Sequence, residues 1–200
     1  MLTAFLPRSR LCAAFFWMAA LAAMWLAPAT GARADDPFVS CGAIDIGYSD
    51  SGVEMQCRMG KATTGWGQAW RQTLVVTGRG YVLWFVHLKA TPTSYIDIED
   101  ATSVALRIGR KLLRSTPAVS PHDAVAGFDI ATFSGSPADN PQAEARCFAF
   151  IGYANEYPPG ASNPTGYKSA YLGVYCAGEA DANSDDNIAL VLGNLRLPSQ

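Results

Sequence analysis

The amino-acid sequence predicts an α+β domain: a mainly antiparallel sheet of about seven strands, one long helix and one short C-terminal helix, with the helices on one side of the sheet. Three observations lead to this prediction. Strand-like segments follow one another with turn residues between them, two segments carry apolar residues at helical spacing, and the cysteines stand where two local disulfides can form.

Residues 1–34 have the pattern of an export signal. Two arginines near the start precede the apolar run from Leu11 to Ala27, and Ala32-Arg33-Ala34 resembles a cleavage site. The alternative is a retained membrane anchor, for which the run is slightly short. We expect cleavage, which leaves residues 35–200 as a single domain without a transmembrane helix, in the periplasm or secreted. The alanine-rich signal suits a bacterial protein.

The charge balance of the domain excludes one class of partner. The chain has 15 basic and 17 acidic residues, and three of the basic ones lie within the signal. The domain therefore carries 12 basic and 17 acidic residues, a formal charge of −5. A mildly acidic domain is not expected to bind nucleic acid.

Four cysteines remain after cleavage: Cys41, Cys57, Cys147 and Cys176. An even number in an exported chain favours disulfides over metal ligands or catalytic thiols. Of the three possible pairings we expect Cys41–Cys57 and Cys147–Cys176, because each can close a local hairpin. Each bridge should add about 3 kcal/mol by restricting the unfolded chain.

The first half of the domain predicts two hairpins. Residues 38–59 form a strand, a turn at 49–52 and a second strand, and a glycine-rich connection at 61–68 follows. Residues 69–89 then form a hairpin whose two-residue turn is Gly78-Arg79, with glycine first as a type II′ turn requires.

That turn sets the register of the second hairpin. Leu74 then faces Leu83, and Trp70 faces His87. Because both strands are apolar on both faces near the turn, they are expected in the middle of the sheet. Trp70 is accordingly expected in the core, and His87 as a packed, hydrogen-bonded core histidine.

Residues 94–115 predict the long helix. Ser94 with Asp97 resembles a capping box, and the acidic and basic residues near the two ends match the helix dipole. The apolar residues that share one face of this helix are Ile98, Ala101, Ala105, Ile108 and Leu112.

The rest of the chain predicts one further strand before the last hairpin and the short helix after it. Residues 115–123 form a linker with two prolines, and residues 124–135 a strand. Asn183 or Ser184 caps the C-terminal helix, which runs through Leu195.

The stretch from Cys147 to Cys176 predicts a stapled hairpin. If the cysteines pair across two antiparallel strands, Ala149 faces Val174 on the same side of the sheet. On the other side Phe150 faces Gly173, where an aromatic ring can cover the bare backbone. The cysteines thus predict one aliphatic and one aromatic face.

Three aromatic residues are the candidate binding residues. Tyr157 and Tyr167 lie in or beside the Tyr- and Pro-rich loop of the last hairpin, and Trp66 lies in the glycine-rich connection. Long loops of this kind are often functional, although a plain surface loop explains the pattern as well. Exposed aromatic side chains beside amides can stack on sugars or hold peptides.

No residue is predicted to be catalytic, and no metal or cofactor is expected. Serine-hydrolase, zinc-protease, phosphate-loop and dinucleotide motifs do not occur. Asp181-Ala-Asn183-Ser-Asp185 begins like a calcium loop, but Asp186 and Leu192 stand where glycine and glutamate are required, so helix capping is the better explanation. His122-Asp123 is the one pair that could do acid–base chemistry.

The sequence thus favours an exported, non-catalytic binding or envelope-associated protein, with a peptide, glycan or envelope protein as partner. Two alternatives stay open: a hydrolase of unusual pattern that uses His122 and Asp123, and a purely structural envelope component.

Overall fold

Eight strands form one antiparallel sheet in the computed structural model, which describes residues 36–64, 67–138, 142–156 and 166–198. The signal predicted at residues 1–34 lies outside the described residues. In spatial order the strands are β1 (Phe38–Val39), β3 (Glu54–Thr64), β4 (Gly67–Thr77), β5 (Tyr81–Ala90), β9 (Tyr167–Ala177), β8 (Ala145–Glu156), β7 (Phe128–Gly135) and β6 (Val119–Val125).

A small ribbon and three helical segments complete the described chain. The ribbon pairs β2 (Gly47–Tyr48) with β10 (Leu195–Arg196). A single 3-10 turn spans Cys41–Ala43, and the α-helices are α1 (Ala101–Leu112) and α2 (Asp185–Gly193). The α+β class and the antiparallel sheet are therefore confirmed, but the main sheet has eight strands, and the helices differ in length from those predicted.

The sheet is covered on both faces, so its central strands are apolar on both sides. What we call the aliphatic face packs against α1, whereas the aromatic face packs against residues 44–48 and α2. The prediction that both helices lie on one side is therefore wrong. The aliphatic face includes Val82, Val86, Ala149, Leu172 and Val174, and the aromatic face includes Phe85, Phe148, Phe150, Tyr171 and Tyr175.

Both predicted disulfides are present, joining Cys41 to Cys57 and Cys147 to Cys176. The register of the last hairpin is also confirmed, with Phe150 opposite Gly173. Its cysteines lie on the aliphatic face, as the alternation of side chains requires.

The second hairpin differs from its predicted register by two residues. Leu74 lies opposite Phe85, and Trp70 lies opposite Lys89. The turn is centred on Arg79 and Gly80 because Gly80, with φ of 89°, takes the left-handed conformation. A shift of two residues keeps every side chain on its predicted face but changes its neighbours.

The first predicted hairpin is present only at its base. Val39 of β1 pairs with Cys57 of β3, but the chain between them leaves the sheet. Ile44, Ile46 and Tyr48 alternate like strand residues, yet they lie over the sheet and bury their side chains against its aromatic face. Burial of apolar surface, rather than pairing with a strand of the main sheet, therefore determines their position.

Most of the connection and of the linker predicted from glycine and proline content belongs to strands. β3 continues to Thr64, which pairs with Gly67 at the start of β4, so most of residues 61–68 are strand. β6, which contains Pro121, lies at the sheet edge, where a strand tolerates proline.

The long helix begins later than predicted. Asp100 caps α1 by accepting a hydrogen bond from the Ser103 backbone N–H at 2.6 Å. Ser94 accepts instead from the Gln68 backbone N–H, and Ile96 pairs with Tyr167, so the residues before α1 are extended. Ile98, expected on the buried face, is 59% exposed for the same reason.

The short helix agrees with the prediction at its start and ends sooner. Ser184 caps α2 by accepting from the Asn187 backbone N–H, and the helix ends at Gly193. Leu195 belongs to β10 rather than to the helix.

We expect Gly173→Ala to lower the free energy of unfolding by about 2 to 3 kcal/mol because it overpacks a filled site. A Cβ atom there would lie 2.3 Å from a Phe150 ring carbon and 2.5 Å from the Trp84 carbonyl oxygen. Gly178→Ala is the matched control, because its Cβ would meet no atom within 4 Å. Urea denaturation checks both, and equal losses would contradict the close approach.

Candidate functional site

A cleft lies at one end of the aromatic face, beside the chain that follows β5. Its volume of about 540 Å³ is in the range of small-molecule sites. Asn155, Lys168 and Ser169, which help to line it, stand next to the ends of the loop that the sequence singled out. The other lining residues are Asp45, Met59, Trp70, Gln72, Lys89, Ala90, Thr91 and Pro92.

Trp70 gives the cleft an aromatic wall. It is 48% exposed, so its predicted place in the core is wrong. Trp70 lies near the start of β4, whereas Leu74 and Val76, further along the strand, belong to the buried cluster of the aromatic face. The Lys61 ammonium lies 5.1 Å from the centre of its ring, within the range of a cation–π contact.

A pair of hydrogen bonds fixes another wall. The Gln72 side-chain amide donates to the Asp45 carboxylate and accepts from the Asp45 backbone N–H, both at 3.0 Å. Asp45 belongs to the segment that lies over the sheet, so this contact ties that segment to β4 at the edge of the cleft.

Lys168 fixes the chain that follows β5, which forms the opposite wall of the cleft. Its ammonium donates to the backbone carbonyl oxygens of Ser94 at 2.6 Å and Pro92 at 2.9 Å. Because these acceptors are on one turn of chain, the lysine fixes the shape of the cleft wall that follows β5.

His87 lies on the same face, one pair of residues further in, between Gln72 on β4 and Tyr171 on β9. It is 2% exposed and stacks on the Tyr171 ring at 4.7 Å, so its predicted packing is confirmed. Its predicted hydrogen bonding is not seen, because neither ring nitrogen has a partner among the described residues. Burial lowers the pKa of His87 to about 4; Lys89 adds to this, whereas the Asp45 charge opposes it.

The buried imidazole predicts a loss of stability in acid. The unfolded chain takes up a proton on His87 near its ordinary pKa of 6.5, whereas the folded protein resists protonation until about pH 4. Stability should therefore fall as pH falls between these values, by up to about 3 kcal/mol. We expect urea denaturation from pH 7 to 4 to show this slope in the wild type and to show it reduced in His87→Leu. Equal slopes in the two proteins would contradict it.

His122 contacts the backbone carbonyl of Asp123 and the side chain of Asp185. The His122 Nδ1 atom contacts the backbone carbonyl oxygen of Asp123 at 2.9 Å, and its Nε2 atom contacts the Asp185 carboxylate at 3.0 Å. Both partners are acceptors, so the ring satisfies both when it is protonated. The Asp123 carbonyl and the Asp185 carboxylate accordingly raise the pKa of His122.

Of the three predicted binding residues, Tyr167 lies within the described residues. Trp66 and Tyr157 lie outside the described residues. Tyr167 stacks on Tyr153 at 4.7 Å, and its backbone pairs with Ile96. Tyr167 does not line the cleft. Its binding role stays a prediction.

Three residues in or beside the cleft that the sequence analysis missed share one signal. Lys61, Trp70 and Lys89 lie side by side on three neighbouring strands. If β3 extends through Lys61 and the β4–β5 register shifts by two residues, strand pairing places these three residues in one row across the sheet. The cue is therefore strand pairing rather than any local motif.

The described residues contain no group of three or more His, Cys, Asp and Glu side chains able to hold a metal ion. Over the same part of the chain, no helix is long and apolar enough to cross a membrane. Comparison of the chain with protein-family models, with curated proteins and with solved structures gives no match.

Proposed function

We propose that this chain is an exported, non-catalytic binding protein whose site is the cleft beside Trp70. The observation that carries the proposal is the combination of an exposed indole with polar side chains from five separate segments around one concave site. Small-molecule sites commonly join an aromatic surface to a few polar groups that fix orientation.

The way the cleft is held supports binding by a preformed site. The Asp45–Gln72 hydrogen bonds fix one wall and the Lys168 contacts fix the other. Walls fixed before a ligand arrives reduce the ordering cost of association. The two disulfides support export, because such bonds persist in oxidising compartments.

The hydrolase alternative has less support from the geometry. A general base needs one ring nitrogen within reach of the proton that it removes. Both nitrogens of His122 already contact acceptors, and His87 is buried against Tyr171. The use of His122 and Asp123 in catalysis stays a prediction, as does a purely structural envelope role.

An NMR screen of the purified protein tests the proposed function. The screen uses a defined panel of saccharides, dipeptides and small carboxylic acids, read by backbone amide shifts. We expect at least one class to shift amides of cleft residues, and Trp70→Ala to abolish those shifts. Met55→Ala is the matched control, because Met55 is an exposed apolar residue of the same sheet that does not line the cleft. If no compound shifts the cleft amides, the proposal fails.

A further inference from the structure

The residues around Trp70 narrow the ligand class. Lys61 of β3 lies directly opposite Trp70 of β4, and Lys89 of β5 lies opposite it on the other side. Side chains directly opposite one another on neighbouring strands have Cβ atoms about 5 Å apart. Two lysine side chains therefore flank one exposed indole on the aromatic side of the sheet.

This local charge is opposite to that of the domain. The domain has a formal charge of −5, whereas the row beside the cleft carries two exposed lysines. The cleft carboxylate is that of Asp45, which already accepts a hydrogen bond from Gln72. A ligand group placed between Lys61 and Lys89 is thus favoured if it is anionic.

The other polar groups favour a hydroxyl-rich ligand. Asn155 offers an amide with donors and an acceptor, and Ser169 offers a hydroxyl. Sugar rings present an apolar C–H face that stacks on indole and a rim of hydroxyls that both donate and accept. The ligand that fits these residues has an anionic group near the two lysines, a ring on Trp70 and hydroxyls near Asn155 and Ser169. Together these features describe one class of ligand.

We propose that the cleft binds an acidic saccharide, with a sugar ring stacked on Trp70 in place of the Lys61 ammonium and its carboxylate paired with Lys61 and Lys89. The proposal rests on the proposed function and specifies its ligand class.

Calorimetric titration with three probes tests the ligand class. The probes are trigalacturonate, the neutral trisaccharide maltotriose, and tripolyphosphate, which has charge but no ring. We expect trigalacturonate to bind at least about tenfold more tightly than either of the others, and added salt to weaken its binding. Because tripolyphosphate lacks a ring, it separates simple attraction of anions from saccharide binding.

Substitutions then locate the binding. Lys61→Gln and Lys89→Gln should each weaken trigalacturonate binding about three- to fivefold, and Trp70→Ala should abolish it. Lys111→Gln is the matched control, because Lys111 is an exposed lysine of α1, the helix on the other side of the sheet. Thermal melts confirm that each variant is folded.

The outcomes separate the two proposals. Equal binding of maltotriose and trigalacturonate, or lysine variants that bind like the wild type, overturns the acidic class and leaves the cleft as a binding site. Binding of tripolyphosphate as tight as that of trigalacturonate overturns the saccharide class. If trigalacturonate fails but the NMR panel still maps to the cleft, the ligand class alone is wrong; if both fail, the binding function is wrong as well.

Discussion

Phe150→Ala is expected to lower the free energy of unfolding by about 3 to 5 kcal/mol, the range for emptying a fully buried phenylalanine site. Phe150 is 0% exposed in the middle of β8. Its ring meets Phe128 edge-on with centroids 5.5 Å apart, and it lies 5.9 Å from Phe85. Truncation therefore leaves a cavity among large rings on central strands, which cannot close without moving the sheet.

Phe38→Ala is the control for this experiment. Phe38 is 60% exposed on the short edge strand β1, where its ring contacts the Arg58 guanidinium. Its loss should cost about 1 kcal/mol or less. Urea denaturation followed by circular dichroism measures both variants. A Phe150→Ala loss as small as that of Phe38→Ala would mean that the aromatic face is not packed as described.

Removing the bridge across the last hairpin is expected to be nearly as costly. The Cys147–Cys176 disulfide closes a sequence separation of 29 residues. The chain-entropy relation gives a stabilisation of about 3.5 kcal/mol for a loop of that size. We therefore expect the Cys147→Ala/Cys176→Ala variant to have a free energy of unfolding about 3.5 kcal/mol lower than that of the oxidised wild type, as measured by urea denaturation.

Reduction supplies the control for the bridge. In dithiothreitol the wild type loses the same constraint, so the gap between the two proteins should shrink to about 1 kcal/mol or less. A gap that persists in full would assign the loss to packing of the two buried sulfur atoms. Unlike loss of the Cys147–Cys176 bridge, loss of the other bridge in Cys41→Ala/Cys57→Ala should also affect the cleft. The reason is that Cys41 anchors the segment that carries Asp45.

Covalent and periodic signals in the sequence predicted the middle of the fold. Cysteine pairing set the β8–β9 register, and the alternation of side chains then placed Phe150 opposite Gly173. The same signals do not distinguish a strand that pairs in the sheet from a segment that covers it. Ile44, Ile46 and Tyr48 alternate correctly for a strand, and only the three-dimensional position of the aromatic face shows why they leave the sheet.

Local signals failed where two of them compete. Gly78 and Gly80 both suit a tight turn, and the choice of Gly80 moved the register of β4 against β5 by two residues. Ser94 and Asp100 are both good helix caps, and the pairing of Ile96 with Tyr167 removes the first from the helix. The cleft was missed for the same reason, because it depends on the register that places Lys89 beside Trp70.

The position of β9 between β5 and β8 has a consequence for how the chain is made. The long strands β3, β4 and β5 are consecutive in the sequence. The second edge of β5, however, pairs with β9, whose residues 167–177 come much later in the chain. A chain emerging from its N-terminus therefore holds an unsatisfied, apolar ribbon until its last third arrives. Such distant pairing slows acquisition of the native state to about milliseconds or seconds, and leaves the apolar edge of β5 open to aggregation in the meantime.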